Sequence, residues 1–206
     1  MKDLIILVPD KNVKFGMEGL LSRFRSLNIK QISYEIFVHP LHDPGIYHDA
    51  ANFLRPFSNQ YSYALVLLDR EGSGRQDSTE DIAREIKTDI ERNGWPSRVE
   101  VIIFDPELEI WVWTESQHMA AVLGWDNYLQ LKEWLREQGL WQRNAYKPNK
   151  PKEALEASLK KRRIPRSSSI YLDVAKRANI NLCQEPSFIK FKNILQQWFP
   201  LVLIIL

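Results

Sequence analysis

The sequence predicts an α/β fold: a mostly parallel central sheet flanked by helices, followed by a small helical appendage. Short runs of Val, Ile and Leu alternate with amphipathic helical patterns, which is typical of strands buried on both faces. At 206 residues the chain is about one domain long. Hydrophobic residues make up 44% and charged residues 26%, which excludes a disordered chain, a collagen and a coiled-coil rod.

Four apolar runs have the length and composition of buried strands. The clearest is YALVLLD, because a continuous run of Val and Leu ends abruptly in an acid and a polar loop. ISYEIFVH alternates and is rich in β-forming residues. The predicted strands cover residues 3–9, 32–38, 63–68 and 99–104.

Apolar residues at helical spacing predict helices between and after these strands. In one of them Ile82, Ile86 and Ile90 share a face, Ser78 is a suitable N-terminal cap and Gly94 a suitable end. The predicted helices cover residues 15–27, 46–57, 78–93, about 108–121, 126–138, 151–162, 170–180 and 186–199.

The charge distribution divides the chain at Lys147. The whole chain has 28 basic and 26 acidic residues, a net charge of +2. Residues 1–146 carry 16 basic and 22 acidic residues, a net of −6, and residues 147–206 carry 12 and 4, a net of +8. We therefore predict an α/β domain over 1–146 and a basic helical appendage over 147–206. The asymmetry indicates contact with nucleic acid or an acidic partner, or packing of the basic segment on its own acidic domain.

The remaining composition predicts a cytoplasmic protein without a membrane partner. Cys183 is the single cysteine, so no internal disulfide forms, as is usual in a reducing compartment. MKDLIILVPDK lacks the features of a signal peptide. FPLVLIIL has eight apolar residues, against about 20 for a bilayer span. We expect this segment to be a terminal strand or packed tail, with an exposed docking segment as the alternative.

Three of the predicted strands end in acidic residues. In chain order these are Asp10, then Asp69 and Glu71, then Asp105, Glu107 and Glu109. In a parallel sheet the carboxyl ends share one edge, where ligands bind. Converging carboxylates repel one another unless a cation or a proton relieves them, and oxygen ligands suit Mg²⁺ or Mn²⁺. The alternative is that these acids are helix caps and loop residues.

This order of acids resembles the TOPRIM-like fold, in which an acid follows the first strand and an acid-x-acid pair follows the third. Asp10 matches the first acid, and Asp69 and Glu71 match the pair. The family normally has Glu at the first position and Asp-x-Asp at the pair, so this chain departs from the pattern at two ligands. The resemblance implies an acidic Mg²⁺ site of the kind found in topoisomerases, primases and several bacterial nucleases.

A second set of motifs extends over almost the whole chain. Its residues are Pro106, Glu107, Glu109 and Trp111, then Lys150 and Pro151, Ser167 to Ser169, and Cys183, Pro186 and Phe188. In these the chain resembles a family of TOPRIM-like proteins from bacterial phage-defence gene clusters, and it is similar to a small component of the methylation-associated defence systems. The resemblance implies a fold and a defence context more firmly than a reaction.

The first of two hypotheses is an enzyme, a metal-dependent nuclease or other phosphoryl-transfer enzyme acting on nucleic acid. Asp69, Glu71 and Glu109 would hold Mg²⁺ or Mn²⁺, with Asp10 as a further ligand or general base, so that Asp10 and Glu109 are the predicted catalytic residues. The predicted phosphate-binding residues are Lys147, Lys150, Lys152, Lys160, Lys161, Arg162, Arg163 and Arg166.

The second hypothesis is a non-catalytic adapter or scaffold subunit of a defence complex. The acids would then be residual, and the basic appendage and apolar C-terminus would bind another defence protein or DNA. The altered acidic motif favours this interpretation.

Overall fold

The structure is a computed structural model that describes residues 1–201. Its four strands form one sheet in the order β2-β1-β3-β4, and every neighbouring pair is parallel. The strands are β1 (Lys2–Val8), β2 (Tyr34–Val38), β3 (Tyr61–Asp69) and β4 (Val99–Phe104). The predicted α/β fold with a parallel sheet is confirmed. The apolar C-terminal segment is residues 199–206: Pro200 forms an isolated antiparallel bridge with Ile29, and residues 202–206 lie outside the described residues, so the expectation for the segment stays a prediction.

Helices connect the strands and then continue to the C-terminal part of the chain. They are α1 (Lys11–Leu21), α2 (His42–Leu54) with a 3₁₀ turn (Arg55–Phe57), α3 (Arg70–Ser73), α4 (Thr79–Arg92), α5 (Glu109–Val112), α6 (Gln117–Val122), α7 (Tyr128–Glu137), α8 (Pro151–Lys161), α9 (Ser168–Arg177) and α10 (Pro186–Trp198). No helix within residues 1–201 combines the length and apolarity that a membrane crossing requires.

The single helix predicted over about 108–121 is wrong, because the chain forms two short helices there. The backbone leaves the helical region at Trp113, where ψ is 82°. The indole of Trp113 is 1% exposed and donates a hydrogen bond to the carbonyl of Pro151 at 2.9 Å. Burial of this side chain against α8 therefore overrides the local helical periodicity.

Side chains of the sheet alternate between two apolar cores. Leu4, Ile6 and Val8 of β1 point to one face, where they share a core with α1 and the helices from α5 onward. Ile5 and Leu7 point to the other face, where α2 and α4 cover it. The continuous apolar runs of β1 and β3 arise because both faces are buried.

The C-terminal helices form part of the first of these cores. Ala175 of α9 packs against α1 beside Gly19, and Trp198 at the end of α10 stacks on Tyr63 of β3, with ring centroids 4.5 Å apart. The described part of residues 147–206 contains three helices, as predicted: α10 packs on the sheet, and α9 packs on α1. The division of the chain at residue 147 remains a prediction.

Gly19 permits the close approach of α1 and α9, so Gly19→Ala is expected to destabilise the fold. An added Cβ would lie 2.6 Å from the Cβ of Ala175 and 2.8 Å from the carbonyl oxygen of Leu172. Overpacking of this kind costs about 1–3 kcal/mol. The free energy of unfolding, measured by urea titration, is the readout.

Gly16→Ala on the same helix is the matched control, because a Cβ there would meet no atom within 4 Å. Because alanine is less flexible than glycine in a helix, this substitution should leave the free energy of unfolding unchanged or raise it by about 0.5–1 kcal/mol. Equal effects of the two substitutions would contradict the tight packing of α9 on α1.

Candidate functional site

The carboxyl ends of the strands meet at one edge of the sheet, as their parallel order requires. Asp10 follows β1, Asp69 is the last residue of β3, and Asp105 follows β4. The turn after β2 adds Asp43, near the start of α2. We call the group formed by Asp10, Asp43, Asp69 and Glu109 the carboxylate edge.

Asp69 is central to the carboxylate edge. Its Oδ1 accepts a hydrogen bond from the N–H of Leu108 at 2.9 Å, and its own N–H donates to Oδ1 of Asp43 at 2.8 Å. Burial raises the pKa of Asp69 well above its usual value, and the negative charges of Asp43, Glu109 and Asp10 raise it further. Ionised Asp69 is therefore disfavoured by its surroundings.

Asp43 is the member of the carboxylate edge that was not predicted from the sequence. Burial raises the pKa of its carboxyl, and the charge of Asp10 adds to the shift against the lowering effect of the hydrogen bond from Asp69. Gly72 approaches so closely that a Cβ there would lie 2.5 Å from Oδ2 of Asp43. The sequence does contain a feature that could have predicted Asp43: an acid also follows the second strand, shortly beyond the end of its apolar run.

Glu109 joins the carboxylate edge from α5 and is only 3% exposed. Tyr171 of α9 donates a hydrogen bond to its Oε1, and the guanidinium of Arg166 lies 4.0 Å from the same oxygen. Burial raises the pKa of Tyr171 and the charge of Glu109 raises it further, so the hydroxyl remains protonated and able to donate. The C-terminal segment therefore holds Glu109 in place.

The turn between β1 and α1 fixes two polar side chains. Asp10 is the N-terminal cap of α1, since its Oδ1 accepts a hydrogen bond from the N–H of Val13 at 2.9 Å. Nδ1 of His42 lies 2.8 Å from the carbonyl oxygen of Pro9, and the backbone φ of His42 is 53°. When Nδ1 donates to that carbonyl, Nε2 is left as a hydrogen-bond acceptor. His42 was not predicted as a site residue.

The remaining acids lie at the margin of the carboxylate edge. Glu71 is exposed on α3. Glu107 is buried, accepts a hydrogen bond from the backbone N–H of Lys152 at 3.0 Å, and lies 3.5 Å from the Nζ of the same residue. Burial raises the pKa of Glu107, and the charges of Glu109 and Glu71 add to the shift.

Within residues 1–201, no group of three or more His, Cys, Asp or Glu side chains is placed to hold a metal ion, and Asp69, Glu71 and Glu109 do not form one. Proteins commonly bind Mg²⁺ through only one or two carboxylates, with waters and substrate phosphates completing the coordination. Asp43 and Asp69 are two such neighbouring carboxylates, and a cation would relieve the excess negative charge around Asp69. A cation at this edge would therefore need waters or substrate oxygens to complete its coordination.

The eight predicted phosphate-binding residues differ in accessibility. Lys147 is 7% exposed, and its Nζ lies 2.9 Å from Glu185 and donates to the carbonyl of Ile110, so it is an internal ion pair. Three others form ion pairs near the surface: Lys150 with Glu153, Lys152 with Glu107, and Arg166 with Glu156. Four consecutive exposed residues form what we call the basic end of α8, namely Lys160, Lys161, Arg162 and Arg163.

Comparison of the chain with models of protein families, with curated proteins and with solved structures found no match. The resemblance to TOPRIM-like proteins and to a defence-cluster family remains a prediction. The function of the carboxylate edge is therefore argued from its geometry and charge.

Asp69→Asn is expected to change how stability depends on pH. The folded-state pKa of Asp69 is raised above the unfolded value of about 3.9, so folded protein binds the extra proton between these two pKa values. The wild-type free energy of unfolding therefore falls as pH rises through that window, by about 1.4 kcal/mol for each pH unit between the two pKa values. Asn removes this titration and retains an oxygen acceptor for the N–H of Leu108.

Urea titrations between pH 4 and 8 in the presence of a chelator measure this effect. The free energy of unfolding of the variant should rise relative to that of wild type as pH rises. Asp105→Asn is the control, because Asp105 pairs with Arg70 at the surface, 3.2 Å away. If the free energies of unfolding of wild type and Asp69→Asn changed in parallel with pH, the pKa of Asp69 would not be raised by its neighbouring carboxylates.

Proposed function

We propose that the chain is a component of a bacterial antiphage-defence system whose carboxylate edge acts on nucleic-acid phosphodiesters with Mg²⁺ or Mn²⁺. The observation that carries this proposal is the convergence of Asp10, Asp43, Asp69 and Glu109 at one edge, where they raise the pKa of Asp69. The defence context rests on the resemblance in the Pro106 to Trp111 string and the C-terminal motifs.

The crowding of carboxylates around Asp69 supports a functional site better than a purely structural role for these acids. A carboxylate that is destabilised by its neighbours weakens the fold when it is ionised, and such residues concentrate at functional sites. Asp43 and Asp69 would hold the cation, with Glu109 and Asp10 as further carboxylates. Bound there, the cation would polarise a phosphoryl oxygen and stabilise the charge that develops on it.

Cationic side chains of the C-terminal segment stand beside these acids. Lys152 lies next to Glu107, and Arg166 reaches toward Glu109. In this proposal both would orient a phosphate at the rim, and Asp10 would accept a proton from an attacking water. Tyr171 donates to Glu109 and would act as a positioning residue.

Asp69→Asn and Asp43→Asn are each expected to lower cleavage by at least about 100-fold, because each removes an acidic oxygen that the chemistry requires. The measurement is cleavage of plasmid DNA, phage DNA and RNA with millimolar Mg²⁺ or Mn²⁺. Asp105→Asn, an acid after the neighbouring strand, should cleave like wild type. Cleavage by Asp69→Asn at the wild-type rate would refute the proposal.

The alternative is a non-catalytic adapter or scaffold subunit, and the hydrogen bonds of the acids favour it. Asp10 caps α1, Asp43 accepts from the backbone of Asp69, and Asp69 accepts from that of Leu108. Asp10 therefore stabilises the start of a helix, and Asp43 and Asp69 stabilise loops. If neither Mg²⁺ nor Mn²⁺ supported cleavage and the product of a neighbouring gene co-purified with the chain, the adapter function would be favoured.

The basic end of α8 is expected to contribute to nucleic-acid binding under either function. Replacing Lys160 and Lys161 by Gln should reduce the slope of log affinity against log salt by about 2, since each phosphate contact contributes about 0.9. Fluorescence anisotropy with labelled duplex DNA at several salt concentrations measures it. Replacing Arg84 and Arg92 on α4 by Gln removes the same charge from the opposite side of the sheet and should leave the slope unchanged.

A further inference from the structure

The imidazole of His39 is buried directly after β2, where the chain turns toward α2. The residue is 2% exposed. Its Nδ1 accepts a hydrogen bond from the backbone N–H of Leu41 at 3.2 Å, so Nδ1 must carry a lone pair. Within residues 1–201, Nε2 has no hydrogen-bond partner. The hydrogen bond from Leu41 therefore requires the neutral form of the ring, with its proton on Nε2.

The surroundings of His39 restrict the ring and disfavour its charged form. A Cβ on Gly45 of α2 would lie only 2.2 Å from Nδ1, and the ring centroid of Phe53 is 5.4 Å from that of the imidazole. The charged groups that act on the ring are Asp49 of α2, whose Oδ2 is 3.9 Å from Nε2, and His42 of the turn. Burial lowers the pKa of His39, the charge of Asp49 opposes this shift, and a protonated His42 adds to it.

The turn that His39 begins leads directly to the carboxylate edge. The carbonyl of His39 accepts a hydrogen bond from the N–H of His42 at 3.1 Å, which closes the turn around Leu41. The next residue is Asp43, whose Oδ1 accepts a hydrogen bond from the N–H of Asp69. The hydrogen bond between Leu41 and the imidazole therefore belongs to the same turn that places Asp43 beside Asp69.

We propose that His39 is a positioning residue, which keeps Asp43 at the carboxylate edge while its ring is neutral and releases it when the ring is protonated. Protonation would place a hydrogen on Nδ1, so that two donors, this N–H and that of Leu41, would face each other across 3.2 Å. It would also place a positive charge in a buried position, and the close approach of Gly45 keeps the ring from turning aside. Opening of the turn relieves both costs.

The inference rests on the proposed function in one respect, which is what the carboxylate edge does once Asp43 is in place. In that function Asp43 and Asp69 hold the cation, so release of Asp43 would remove one of the two carboxylates. Residues that orient metal-binding side chains commonly change metal affinity by about 10–100-fold when they are replaced. The position of the turn itself can be measured without a cation.

NMR spectroscopy of the wild-type chain, with a chelator present, tests the switch without any substitution. The ring nitrogens should report the Nε2–H tautomer at neutral pH, and His39 should become protonated only below about pH 6.5, the usual pKa of histidine. As the ring titrates, exchange protection of the Leu41 amide should fall by at least about tenfold, and that of Asp69 should fall with it. An Nδ1–H tautomer at neutral pH, or a Leu41 amide that stays protected after protonation, would overturn the proposal.

Two variants separate the charge of the ring from its volume. His39→Asn keeps an acceptor near the position of Nδ1 but gains no proton, so the Asp69 amide should lose less protection at acidic pH than in wild type. His39→Phe keeps a ring but removes the acceptor, so the amides of Leu41 and Asp69 should be poorly protected at every pH. His48→Asn is the matched control, because His48 is exposed on α2 and should behave like wild type. Equal pH dependence of the Asp69 amide in His39→Asn and wild type would refute the role of His39.

Cation binding distinguishes failure of this inference from failure of the proposed function. Calorimetric titration of Mn²⁺ at neutral pH should show affinity at least about tenfold weaker for His39→Phe than for wild type, with His39→Asn close to wild type. If wild type bound no Mn²⁺ or Mg²⁺ while the exchange results held, the cation site would fail and the positioning of Asp43 by His39 would stand. If His39→Phe bound Mn²⁺ as tightly as wild type, the cation site would stand and the positioning role would be refuted.

Discussion

The parallel register of the four strands is the constraint on which the rest of the structure depends. Because β2, β1, β3 and β4 run in one direction, the turns that follow them share one edge of the sheet. Asp69 then connects these turns, since it donates to Asp43 after β2 and accepts from Leu108 after β4. Ionisation of this connecting residue is opposed by its burial and by the neighbouring carboxylates, against the hydrogen bond from Leu108.

Local patterns were sufficient to predict the sheet and most helices, because β1, β3 and β4 are buried on both faces and carry continuous apolar runs. Asp10 and Asp69 were predictable as strand-end acids for the same reason. Asp43 was missed because the turn after β2 contains two prolines and two histidines, which hide the acid within a loop pattern. The break at Trp113 depends on the distant Pro151, which no local pattern contains.

The basic segment illustrates a second limit of sequence reasoning. Composition treats Lys147 and Lys160 alike, yet one is an internal ion pair with Glu185 and the other is exposed at the end of α8. Some of the basic side chains therefore form ion pairs with acids of the chain itself, and others are exposed to solvent. Lys152 pairs with Glu107 of the acidic part of the chain, as one interpretation of the charge asymmetry predicts, whereas contact of the exposed residues with a partner stays a prediction.

The contact of Tyr171 with Glu109 has a consequence for synthesis of the protein. Residues 1–146 leave the ribosome first, at a stage when Glu109 has no hydroxyl donor and the α9-facing side of α1 is uncovered. The sheet can pair its strands by then, but the carboxylate edge acquires its full set of contacts only after α9 emerges. The contacts of Glu109 are therefore completed only once α9 has been synthesised, because Tyr171 supplies its hydroxyl donor.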